Sequence, residues 1–182
     1  MKDNLIKSAD IWEKLVRKGF EDGFIENNSD CSYIPELLIQ SDIVVRDIMD
    51  GFNKADFKFD DTQLFLYLTS CWSAFAGMGA VAQWHSDWNE LQLKGIVPTL
   101  SQPRGIDEMD EYVQDLIGIK FGSEKSKKLT EHLKDMYLYI MEIYIHNYKD
   151  ASEEEHFFQF VEFFKAMYLY GMTYEMKRLG MN

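Results

Sequence analysis

The sequence predicts an all-α fold: a single-domain bundle of about six helices packed around a central uncharged helix at about residues 61–94. Three observations carry this expectation. Apolar residues recur at three- and four-residue spacing along most of the chain, with little two-residue alternation. Only 3 prolines and 11 glycines are spread over 182 residues, too few for the turns of an all-β domain. The 25 residues from Thr62 to Ser86 hold no Asp, Glu, Lys or Arg, as expected of a helix enclosed by others. Neither a composition break nor a fixed-period repeat divides the chain, so residues 1–182 read as one helical domain.

The first helix is expected from near Asp3 to Lys18, with Ile11, Trp12, Leu15 and Val16 on its inner face and Gly19 or Gly23 ending it. The polar segment Glu26 to Ser32 reads as a loop. Pro35 suits the first turn of a second helix, where its missing N–H has no partner to lose. That helix carries Leu37, Leu38, Ile43, Val44 and Ile48 and stops around Gly51 to Asn53.

Asp60 with Gln63 forms a capping pair for the central helix, which should end near Gly95. Gly77 and Gly79 lie inside it and each costs roughly 1 kcal/mol relative to Ala. Close approach of a neighbouring helix backbone would offset that cost. The stretch GIVPTLSQPRG, Gly95 to Gly105, holds two of the three prolines and is expected to be a loop. A short helix should follow from Asp107, with Met109, Val113, Leu116 and Ile117 at helical spacing. Gly118 and Gly122 bracket a turn. Ser123 then caps a helix running to about Tyr148, with Leu129, Leu133, Met136, Tyr137, Ile140, Met141 and Tyr144 inward. Ser152 with Glu155 makes a capping box for the last helix, which reaches about Leu179.

Charge narrows the function classes. Nineteen basic residues against 31 acidic ones give a formal charge of −12, a poor match for a phosphate backbone, so no nucleic-acid partner is expected. The start, MKDNLIKSADIWEKLVRK, holds no signal-peptide core. Thr62 to Ser86 is long enough to span a bilayer. Its Thr69, Ser70, Ser73, Gln83 and His85 and its acidic flanks favour the centre of a bundle over a membrane span. Cys31 and Cys71 lie far apart and in no Cys-x-x-Cys, so both read as reduced thiols and the location as cytoplasmic.

Several motifs carry residue types capable of chemistry. Gly77-Met78-Gly79 lacks the preceding strand and following Lys-Ser/Thr of a phosphate loop. Glu153 to His156 is one Glu-x-x-His and Glu142 with His146 is an i, i+4 pair. The second motif of a di-iron site is missing, so no metal site and no cofactor are expected. Trp84-His85-Ser86-Asp87-Trp88 is chemically mixed, with the two tryptophans one turn apart. Together with Trp72 and Arg104 it would line a pocket for a planar ligand bearing an acid group. The alternative is two core tryptophans beside a partly exposed histidine. Asp87 lies two residues from His85, on another helical face, so no catalytic pair is assigned.

Acidic clusters at Asp107, Glu108, Asp110 and Glu111 and at Glu153, Glu154 and Glu155 are solvated faces or a surface that steers a basic partner. Lys125, Lys127, Lys128 and Lys134 make a basic patch too small for a nucleic-acid footprint. Aromatic residues are 15% of the chain and crowd the last helix, FFQFVEFFKAMYLYGMTYEM, on all sides. That helix is either buried at the centre or meets a partner, a second copy included. These features point to a non-catalytic protein-binding protein, an acidic inhibitor of immunity or antitoxin type. A small-ligand bundle is the alternative, and a metal-dependent enzyme ranks last.

Overall fold

The uncharged stretch forms the longest helix, and the remaining elements are arranged about it. The computed structural model describes residues 6–26, 34–55 and 61–181. Among them eight helices and no strand occur: α1 (Ser8–Glu21), α2 (Pro35–Leu38), α3 (Ser41–Lys54), α4 (Thr62–Lys94), α5 (Ile96–Ser101), α6 (Met109–Leu116), α7 (Glu124–Asn147) and α8 (Glu153–Arg178). The all-α bundle with a central apolar helix is therefore what the chain forms. Asp3, Cys31, Asp60 and most of the segment expected as a loop after Glu26 lie outside the described residues.

The main partner of α4 is α8, and α3, α5, α6 and α7 cover its other sides, while α1 lies on α8 and α7. α4 is long and apolar enough to cross a membrane, yet 72% of its apolar window is buried inside the fold. Two glycines set the α4–α8 distance. A Cβ on Gly77 would fall on the Tyr168 carbonyl and the Met172 amide, and a Cβ on Gly171 would fall on the Ala74 carbonyl. The backbones themselves make the contact, as Gly77 predicted. Gly79 has a different neighbour: side chains, Leu100 of α5 and Val113 of α6.

The aromatic surplus of α8 is largely core. Phe163, Phe164, Tyr168 and Tyr170 are buried, and the Tyr168 hydroxyl donates to the Leu37 carbonyl at 2.9 Å. From α1, the Trp12 indole N–H donates to Thr173 Oγ1 at 2.9 Å. Buried Gln159 takes both the N–H and the C=O of Ile6, which fixes the start of the described chain on α8.

Helix ends follow the capping chemistry. The Ser152 hydroxyl accepts from the Glu155 N–H, and the Glu155 carboxylate accepts from the Ser152 N–H in return. Ser123 caps α7 through the Ser126 N–H. For α4 the capping residue is Asp61, whose carboxylate accepts from Gln63 N at 2.7 Å.

Three boundaries depart from expectation. The second helix is two pieces, α2 and α3, separated by a turn at Ile39–Gln40. The segment expected as a loop from Gly95 to Gly105 contains α5, whose Ile96, Val97 and Leu100 are buried. Pro98 sits in its first turn, where no intrahelical N–H bond is lost. The third departure is in α4, where the backbone turns non-helical at Asp87 (φ −153°, ψ 80°). There the Asp87 carboxylate accepts from Glu90 N at 3.1 Å and caps a new helical segment.

Candidate functional site

Of the residues expected around a tryptophan pocket, Trp72, Trp84 and Trp88 are all partly buried against the main core. Trp72 is half-buried in α4, its indole N–H donating to the Ile106 carbonyl at 2.6 Å and its rings packed against Phe52 and Phe75. Trp84 and exposed His85 precede the break at Asp87, and Trp88 follows it. The continuous helical face that the four-residue spacing implied for Trp84 and Trp88 is therefore interrupted. Arg104 is held by acids: its Nη2 lies 2.6 Å from Asp115 and its Nη1 4.0 Å from Glu111.

That arrangement also divides the first acidic cluster. Asp107 and Glu108 are exposed, whereas Glu111 shares Arg104 with Asp115. Asp110 is half-buried and lines a cleft of about 520 Å³ with Tyr67, Phe121, Thr130, Lys127 and Lys134. Burial raises its carboxyl pKa to about 6, helped by the neighbouring charges of Glu111 and Glu108. Behind it Tyr67 and buried Cys71 share a hydrogen bond, and burial pushes both groups up to about 12. A thiol held so far from ionisation is a poor nucleophile.

The second acidic cluster opens α8. Glu153 and Glu154 are exposed, while Glu155 is occupied by the capping box. Next to them Phe157 and Phe158 are 52% and 42% exposed and touch edge to face. Just inward, the Tyr144 hydroxyl is hydrogen-bonded to His156 Nδ1 and its ring packs on Phe160. Ile145, near the end of α7, is also exposed. The connected end of the α7–α8 hairpin thus presents apolar side chains beside the exposed acids Glu153 and Glu154.

Two buried polar groups, His132 and Glu175, stand outside the sites the sequence predicts. His132 of α7 is buried, stacked flat on Phe24 at 3.7 Å between ring centroids, with its Nε2 2.5 Å from the Tyr170 hydroxyl. Burial lowers its pKa to about 4, against the opposing pull of Asp22 and Asp135. Glu175 of α8 has no exposed surface, and both its oxygens accept from Arg178, at 2.6 Å each. The i, i+3 spacing of Glu175 and Arg178 was visible as a sequence signal. For His132 the only signal was its place one residue before Leu133 on the inward side of α7. Among the described residues no three His, Cys, Asp or Glu side chains are grouped so as to hold a metal ion.

Comparison with protein-family models, curated proteins and solved structures finds no match.

Proposed function

We propose that this chain is a non-catalytic protein-binding protein whose working surface is the connected end of the α7–α8 hairpin, around residues 145–158. One observation supports this reading above the others. Within a helix whose Phe163, Phe164, Tyr168 and Tyr170 are buried, Phe157 and Phe158 are exposed about one turn after Glu153 and Glu154. Exposed aromatics contribute contact area at low conformational cost, and neighbouring acids steer a basic partner and make its capture sensitive to salt. The finer reading is an acidic inhibitor of a basic cytoplasmic protein, of immunity or antitoxin type, with Asp107 and Glu108 adding to the long-range field. A second reading, a small-ligand bundle, draws support from the cleft at Tyr67 and Asp110 rather than from the tryptophans.

The test is cross-linking of the tagged chain in its source cells, followed by measurement of affinity for the captured protein. The wild type should hold a basic partner whose affinity falls with rising salt. Phe157→Ser with Phe158→Ser, and separately Glu153→Gln with Glu154→Gln, should each weaken it about tenfold or more while each variant keeps a cooperative unfolding transition, the loss of two first-turn acids costing the helix only about 1 kcal/mol. If both double variants retain the same partner at the same affinity, the hairpin end is not the binding surface.

A further inference from the structure

Acids outnumber lysines and arginines by 31 to 19 in this chain, yet cations converge on one place far from the hairpin end. A cleft of about 380 Å³ lies where the segment after α1, the end of α6, the start of α7 and the end of α8 meet. Its apolar wall is Ile117, Ile119 and Leu129, with Phe24 and Tyr174 beside them. Its cationic rim is Lys125, Lys128 and Arg178. A smaller hollow of about 200 Å³ shares Phe24, Tyr174 and Arg178 with it and adds Lys177 and one acid, Glu26.

The walls are held in place before any ligand arrives. Ile117, Ile119 and Leu129 are buried side chains of the core. Phe24 is stacked on His132. Arg178 has Nε and Nη2 fixed by buried Glu175, which sets the plane of the guanidinium and balances part of its charge. Lys125 and Lys128 are exposed on α7 and supply the surplus positive charge.

We propose that this cleft binds a free small molecule in which a carboxylate is carried on an apolar body, as in an arylalkanoic or medium-chain acid. The cleft has the size of ordinary ligand pockets. Its apolar wall favours hydrocarbon, and its rim favours a fixed anion with bidentate or charge-assisted hydrogen bonds. A polyanion is a poor fit, because beyond the rim the chain's net charge of −12 repels it. A monoanion meets only the local cations.

Phenylbutyrate is the probe, phenylbutanol its uncharged counterpart, and the methyl NMR signals of Ile117, Ile119 and Leu129 are the readout. Phenylbutyrate should shift those methyls saturably, and phenylbutanol should bind about tenfold more weakly, the equivalent of one lost charge-assisted contact. Lys125→Gln with Lys128→Gln should weaken phenylbutyrate to a similar degree while the melting temperature stays at the wild-type value. Lys127→Gln with Lys134→Gln, which changes the neighbouring cleft, should leave it unchanged. Absence of saturable shifts, equal binding of the alcohol, or equal loss in both lysine pairs would each overturn the proposal. So would binding confined to phosphatidylglycerol vesicles, which would assign the lysines to a membrane surface.

Discussion

Gly77 of α4 lies against the main-chain carbonyl of Tyr168 in α8, and the reciprocal contact of Gly171 with Ala74 closes the same crossing. Where two backbones touch, an added methyl has no flexible neighbour to displace. Alanine at either position gains roughly 1 kcal/mol in helix propensity but must move a whole helix. Gly77→Ala and Gly171→Ala should therefore each destabilise the fold by about 2–3 kcal/mol in urea unfolding. Gly79→Ala meets only the tip of Leu100 and the side chain of Val113, and should stay within about 1 kcal/mol of wild type. Equal effects at Gly77 and Gly79 would contradict the backbone contact.

His132 should make stability fall on mild acidification. Its pKa is about 4 in the folded chain and about 6.5 when unfolded, so the unfolded chain takes up the proton first as pH drops. The contribution is complete above about pH 6.5, declines between about 6.5 and 4, and levels off below that, with a total of up to about 3 kcal/mol. In His132→Gln this part of the decline should disappear. An unchanged stability–pH slope in that variant would mean that His132 is solvated.

Asp110 works in the opposite direction over much of the same interval. Its folded pKa of about 6 lies above its unfolded value of about 3.9, so its charge opposes folding above about pH 6, and the cost is relieved as pH falls. Asp110→Asn should stabilise the protein at pH 7 by about 1 kcal/mol, allowing for partial solvent screening. At about pH 4 the gain should be gone. Denaturant titrations at the two pH values decide it, and a gain of equal size at both would refute the buried charge.

Arg178→Gln should leave Glu175 with no exposed surface and without its ion-pair partner. Breaking such a pair should cost about 2–3 kcal/mol at neutral pH. Burial already raises the Glu175 pKa, outweighing the effect of Arg178, so the carboxyl can take up a proton as pH falls and the deficit should shrink. A deficit independent of pH would show that the arginine acts through packing alone.

Much of the fold was legible because helix ends and close crossings depend on short-range chemistry. Ser152 with Glu155, Ser123, Pro35 and Gly77 each carry their reason in the residue itself. The helix around Pro98 is hard to read because proline breaks helices except in their first turn, and the helical spacing of Ile96, Val97 and Leu100 is the signal that reveals it. Asp87 with Glu90 has the spacing of a capping pair, and it marks the break between Trp84 and Trp88 that their four-residue spacing hides. The acidic clusters were visible as sequence runs. That Arg104 joins Glu111 and Asp115, while Asp110 turns towards Tyr67, depends on tertiary placement. So does the division of the basic patch on α7, where Lys125 and Lys128 face one cleft and Lys127 and Lys134 another.

α8 is clamped to α4 by bare main chain at Tyr168, Gly171 and Met172, in its C-terminal half, and runs on to both sides of that crossing. Phe158 near one end and Arg178 at the other are 20 residues apart, or about 30 Å along the axis. A macromolecule seated at the first end leaves the entrance at the second uncovered, so the two surfaces can be filled together and disabled one at a time.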